Sequence, residues 1–174
     1  MRDVVDALEE RSIPWYLTGS EALAAYGEPR QTLDTDLVLA TTPEALGSLA
    51  SALSARWTYA EPIHVGGRWM ASLIDRDALA KVDLVIRDAD PWGAEALRRR
   101  RRWDHPVHGQ VWVSTLEDLI LAKLEWSDGT SELQLRDCRR LLALNAGVVD
   151  DAYLERWAAA LGLSARLEEV RRAA

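Results

Sequence analysis

Phenylalanine is absent from this chain, and cysteine occurs once in 174 residues, as Cys138. A single thiol excludes an internal disulfide and any cysteine-rich zinc site. Long apolar runs are missing too, so no segment is suited to span a bilayer. The opening stretch carries Arg2, Asp3, Asp6, Glu9 and Glu10 and does not read as a secretory signal. The expectation is a cytoplasmic protein with no membrane partner. Basic charge is scarce: 21 Lys and Arg stand against 28 Asp and Glu, a net charge of -7. Five of those basic residues form one run, Arg98–Arg102, which leaves the remainder still more acidic. This excludes a grip on nucleic acid spread over the whole surface and leaves room only for a local basic patch. Eight Trp and four Tyr supply the aromatic side chains, and Trp is expected to fill core sites that Phe would otherwise take. A composition 48% hydrophobic and 28% charged is that of a globular chain. Its length suits one ordinary domain or two very small ones.

The first half alternates helix and strand signals. Val4, Val5 and Leu8 mark a short amphipathic helix ended by Pro14, and Trp15-Tyr16-Leu17 reads as a buried strand. Gly19-Ser20 opens a helix through Tyr26, closed by Gly27 and Pro29. A strand is expected over 32–40, then a helix from Thr42-Pro43 to about Arg56. Strands follow near 68–74 and 81–87, with Gly66-Gly67 as a hairpin turn. Asp90-Pro91 starts a helix that leads into the arginine run, and Val111-Trp112-Val113 is a last short strand. Beyond Ser114 the pattern is helical only. Ser114 and Glu117 have capping-box spacing, and helices are expected over 115–126, 132–145, 150–161 and 164–172. The expected fold is α/β (α+β): a mixed sheet flanked by helices over 1–113, with a C-terminal helical bundle over 114–174 packed on it.

The sharpest chemical feature is Leu33-Asp34-Thr35-Asp36-Leu37-Val38-Leu39. Residues two apart on a strand face the same side, so Asp34 and Asp36 project together with Cα atoms about 6.6 Å apart. Two carboxylates at that distance repel by roughly 2.5 kcal/mol at an effective dielectric near 20. Packing does not require that cost, whereas a divalent cation turns it into ligation, and oxygen donors suit Mg2+ or Mn2+. In Lys81-Val82-Asp83-Leu84-Val85-Ile86-Arg87 the face opposite Val82, Leu84 and Ile86 carries Asp83. Asp83 either completes a two-metal site or faces solvent from an edge strand. Gly19-Ser20 stands where a strand runs into a helix. Free N–H groups there attract phosphate and glycine permits close approach, although a simple N-cap reads the same way. Lys123 and Asp137 both fall toward apolar helix faces, which also suits a buried ion pair between two helices.

The run from Gly19 to Val38, with its Tyr26-Gly27-Glu28-Pro29-Arg30-Gln31-Thr32-Leu33-Asp34-Thr35-Asp36 segment, resembles the signature of the DNA polymerase beta-like nucleotidyltransferase superfamily. That segment resembles in particular the bacterial branch with abortive-infection type nucleotidyltransferase toxins. Ser114-Thr115-Leu116-Glu117-Asp118-Leu119-Ile120-Leu121-Ala122-Lys123-Leu124 and Arg136-Asp137 resemble helices that follow the sheet there. The resemblance spans roughly residues 15 to 160. It implies metal ligation by Asp34, Asp36 and Asp83 and phosphate binding by Gly19 and Ser20. It places Arg30 near the site and gives Lys123 and Asp137 catalytic roles. The implied reaction moves a nucleoside monophosphate from a nucleoside triphosphate (NTP) to an acceptor hydroxyl. The implied acceptor is tRNA, with the chain as the toxin of a toxin–antitoxin pair and an antitoxin as partner. A protein side chain or a small hydroxylated molecule is the alternative acceptor, and a non-catalytic nucleotide-binding module is the alternative of another class.

The other features carry less. The run Arg98–Arg102 beside Trp103 reads mainly as a solvated helix end, with five side chains pointing all around. His64, His105 and His108 lack ligand spacing, and His105 and His108 are expected to point apart. Cys138 is expected in the core.

Overall fold

The computed structural model describes residues 1–78, 80–87, 90–128 and 130–174. A seven-stranded mixed sheet runs in the order β3-β4-β5-β2-β1-β7-β6. Its strands are β1 (Trp15–Thr18), β2 (Asp34–Leu39), β3 (Trp57–Val65), β4 (Arg68–Asp75), β5 (Lys81–Arg87), β6 (Arg101–His105) and β7 (Gly109–Val113). β2 runs parallel to β5 and β1 parallel to β7; the remaining pairings are antiparallel. The helices are α1 (Arg2–Glu10), α2 (Pro43–Leu53), α3 (Pro91–Arg99), α4 (Leu116–Ser127), α5 (Glu132–Leu144), α6 (Asp151–Ala160) and α7 (Ser164–Arg172).

Alternation along the central strands divides the sheet into two faces. Trp15, Leu17, Leu37, Leu39, Val82, Leu84 and Ile86 enter the main core. Burying each aliphatic side chain there contributes about 1.5–3 kcal/mol. Tyr16, Val38 and Val85 point the other way and form a smaller cluster with Ala96 of α3. Three of the eight tryptophans serve as core: Trp15, Trp57 and Trp92 are among the largest fully buried side chains. Two of them keep their indole N–H satisfied, Trp57 on Asp3 Oδ2 at 2.7 Å and Trp92 on Asp118 Oδ1 at 2.9 Å. Cys138 is buried, and burial pushes its thiol up to about 12, so it behaves as a small apolar group.

Several expectations needed correction. The segment after Ser20 is a 3-10 helix, Glu21–Tyr26, which Gly27 ends at φ 84. Strand β3 was not expected. Pro62 lies within it, opposite an irregular register between Ala60 and Ile63, and an edge strand accommodates a residue without an N–H. Gly66 and Gly67 do make the β3–β4 turn, at φ 56 and 75. The α4 cap falls one residue later than the capping-box spacing suggested, because the Asp118 N–H donates to Thr115 Oγ1. Ser114 instead donates its own N–H to the Leu17 carbonyl at 3.0 Å. The arginine run is not one helix end. Arg98 and Arg99 close α3, Arg100 turns to extended backbone at ψ 147, and Arg101 and Arg102 begin β6. Arg100 and Arg102 then both stack on Trp112, at 4.6 and 4.0 Å from its ring centre.

Candidate active site

Strand register brings the carboxylates together. In the parallel pair β2–β5, Asp36 lies opposite Asp83 and Asp34 opposite Lys81. Adjacent strands are about 4.8 Å apart, so Asp36 and Asp83 are nearer to each other than Asp34 and Asp36 are along β2. β5 lies inside the sheet, between β4 and β2, so Asp83 is not an edge residue facing solvent. On its other side Asp83 faces Ser72 of β4, whose hydroxyl donates to Asp83 Oδ1 at 2.5 Å. Lys81 Nζ sits 2.8 Å from Asp83 Oδ2 and 4.0 Å from Asp34 Oδ2.

The cost of this grouping falls on Asp36. Burial, then the neighbouring Asp83 and Asp34 charges, push its carboxyl up to about 6, against the opposing pull of Lys123 and Lys81. The donor set is carboxylate oxygen from Asp34, Asp36 and Asp83, and it fits a hard divalent cation. A cation would relieve the same repulsion that raises Asp36.

Gly19 touches Asp36 directly. It holds φ +67, and a Cβ there would overlap the Asp36 carboxylate. Only glycine meets both demands. Ser20 follows at the mouth of the 3-10 helix but does not cap it with its side chain. Its hydroxyl instead accepts from the Arg30 guanidinium. Arg30 Nη1 also reaches to 4.0 Å from Asp137 Oδ2. Asp137 is paired with Lys123 Nζ at 2.9 Å, and Lys123 also donates to Gln134 Oε1 at 3.1 Å. The side chains of this pair are only 3% and 2% exposed, so the two readings of Lys123 and Asp137 are not exclusive. They form a buried ion pair, and Lys123 lines the same cavity, of about 200 Å³, as Gly19, Asp36 and Asp83.

All eight residues singled out from the sequence thus gather around one face of the sheet. Sequence reasoning missed the polar groups that support them: Ser72 and Gln134, and Lys81 as the cation between the carboxylates. Only the β4–β5 register points to Ser72. Lys81 could have been found two residues before Asp83, on the same strand face.

The histidines also differ from expectation. His105 and His108 do not point apart; their rings stack at 4.5 Å between centres. Glu21 Oε1 lies 3.0 Å from His105 Nε2 and 3.5 Å from His108 Nε2. This trio resembles a metal ligand set, but the hydrogen bonds assign it otherwise. His105 Nδ1 accepts from the N–H groups of Val107 and His108, both at 3.1 Å. A neutral His105 therefore carries its proton on Nε2, the nitrogen that faces Glu21, leaving no lone pair there for a cation. Burial lowers the His108 imidazole below its ordinary value. Glu21 Oε2 accepts from Thr35 Oγ1 at 2.8 Å, so the trio braces β2 between Asp34 and Asp36.

Among solved structures, the chain is similar to the antibiotic-resistance factor ANT(2'')-Ia, solved in complex with adenylyl-2''-tobramycin. The identity is 18%, with a TM-score of 0.58, over 91% of this chain and 92% of that one. It is similar also to the lincosamide antibiotic adenylyltransferase LnuA, solved with lincomycin bound. Here the identity is 11% and the TM-score 0.54, over 81% of this chain and 93% of that one. At these identities the likeness is one of fold, and that fold is the nucleotidyltransferase fold. No protein-family model and no curated protein sequence matches the chain.

Proposed function

We propose that this protein is a metal-dependent nucleotidyltransferase that moves a nucleoside monophosphate from an NTP to an acceptor hydroxyl. The observation that carries the reading is the convergence of Asp36 and Asp83 beside Gly19 and Lys123 in one cavity, with Asp34 two residues from Asp36 on the same strand face. Asp34, Asp36 and Asp83 would hold Mg2+ or Mn2+, which when bound neutralises phosphate charge and acidifies the acceptor hydroxyl. Gly19 leaves its backbone open to phosphate, while Ser20, Arg30 and Lys123 supply donors and positive charge. Asp137 holds Lys123 in place. The acceptor oxygen forms the new bond to the α-phosphorus as the bond to pyrophosphate breaks, and the hydroxyl proton is released.

The toxin reading, with tRNA as acceptor and an antitoxin partner, draws on the motif from Tyr26 to Asp36. A small hydroxylated acceptor is favoured by two other observations. The cavity is about 200 Å³, and the net charge is -7, which repels RNA. Two proteins of similar fold were solved with adenylyl-2''-tobramycin and with lincomycin, which suits the same reading.

The test supplies each α-labelled NTP with Mg2+ or Mn2+, and offers RNA, bulk protein, tobramycin or lincomycin in parallel. Label transfer that disappears in Asp34→Ala/Asp36→Ala supports the enzyme reading, and the labelled arm names the acceptor class. Metal-dependent nucleotide binding without transfer in any arm favours a non-catalytic module.

A further inference from the structure

The register lays two rows of side chains on the carboxylate face. Ser72, Asp83, Asp36 and Thr18 form one row from β4 to β1. Met70, Val85, Val38 and Tyr16 form the next. The cavity around Gly19, Asp36 and Asp83 extends over Met70 and Val85 and is walled by Ala122 and Trp126 of α4. It therefore has a charged end and an apolar end, and the chemistry described above uses only the first.

Trp126 is the unusual residue of the apolar end. Leu119, Ile120 and Leu124 on the same helix are fully buried, yet Trp126 remains 40% exposed. The ring is held in place. The Arg68 guanidinium lies over it at 4.4 Å from the ring centre. Arg68 is fixed by Glu125 Oε2 at 2.8 Å, which also accepts from Arg87 Nη1 at 2.9 Å. Arg68 does not line the cavity, so the indole meets that space on a side the guanidinium leaves open. A cationic neighbour on one side and a phosphate site one helical turn away at Lys123 leave a rigid aromatic surface beside the triphosphate end.

We propose that Trp126 is the base-stacking platform of this site, so that the nucleobase of the NTP lies against the indole over Met70 and Val85. The inference rests on the nucleotidyltransferase reading and assigns the apolar half of the same cavity. An NTP matches the cavity in polarity, with its charge at one end and a flat ring at the other. Stacking tolerates any base and strengthens with ring area, so purine triphosphates bind more tightly than pyrimidine ones.

Calorimetric titration of the full chain with Mg2+ tests this, using inorganic tripolyphosphate and the α,β-methylene analogues of ATP and CTP. The ATP analogue is expected to bind most tightly. Trp126→Ala should weaken it by about 5-fold to about 150-fold, the range that base stacking spans, and leave tripolyphosphate unchanged. Trp126→Tyr, which keeps an aromatic ring, should recover most of the loss. An unchanged affinity for the ATP analogue in Trp126→Ala overturns the platform. So does an equal loss for tripolyphosphate, which would report damage to α4 instead. Wild-type protein that binds neither the analogues nor tripolyphosphate with metal would sink the nucleotidyltransferase reading itself. Wild-type protein that binds all three equally would sink the platform alone.

Discussion

Replacing Asp36 by Asn should stabilise the metal-free protein while abolishing the proposed nucleotidyl transfer. The Asp36 carboxyl is pushed from its ordinary 3.8 to about 6, first by burial and then by Asp83 and Asp34. The folded state therefore binds the Asp36 proton more tightly than the unfolded state does. Between about pH 4 and pH 6 the folded state holds more protons, so stability falls as pH rises through that window. Integrated over the shift to about 6, the penalty at pH 8 has a ceiling of about 3 kcal/mol. Lys123 and Lys81 already act against it. The amide of Asp36→Asn keeps the shape and removes the charge. In chelator at pH 8 the variant should melt several degrees above wild type, at roughly 2–4 °C per kcal/mol for a chain of this length. At pH 4, where wild-type Asp36 is protonated in the folded state, the two should converge. Mg2+ should raise the wild-type midpoint and do much less for the variant. Thermal melts followed by circular dichroism across this pH range give the answer. A variant that melts below wild type at pH 8, or a gap that stays constant from pH 4 to pH 8, would refute the reasoning.

Two further substitutions test how the site is built. Gly19→Ala must hold an L side chain at φ +67 and displace the Asp36 carboxylate, so transfer should be lost and the melting temperature should fall; normal activity in that variant would mean that the loop is not fitted to Asp36. Lys123→Met leaves Asp137 buried without its nearest cation, at a cost near the lower end of about 3–5 kcal/mol because Arg136 and Arg30 stand 3.7 and 4.0 Å away. Urea denaturation should show most of that stability return in Lys123→Met/Asp137→Leu while transfer stays absent, and recovered transfer would remove Lys123 from the site.

Legibility along the chain followed local physics. The Asp34–Asp36 pair was readable because strand period alone sets its geometry. The four C-terminal helices were readable because apolar spacing and caps are local signals, and they begin and end within a residue or two of expectation. β3 was obscured by Pro62, whose cost vanishes only because that strand lies at the sheet edge. The arginine run read as a helix end because nothing local marks the turn to extended backbone at Arg100. His105 and His108 were expected to diverge on strand period. His108 lies beyond the end of β6 in the turn before β7, where that period no longer applies.

By itself, then, the sequence determined which residues could carry charge chemistry: paired aspartates on a strand, a Gly-Ser step at a strand end, and Lys123 and Asp137 on apolar helix faces. These depend on spacings of a few residues, which backbone geometry converts directly into direction. Tertiary structure alone decided that Asp83 faces Asp36 and that Lys81, already on the Asp83 face by strand period, also stands beside Asp34. It alone placed Ser72 on Asp83 and brought Trp126 to the same cavity as Gly19. Each of those facts is a pairing between segments distant in the chain. Such pairings come from strand order and register, which the packing of the whole sheet sets and no local spacing encodes.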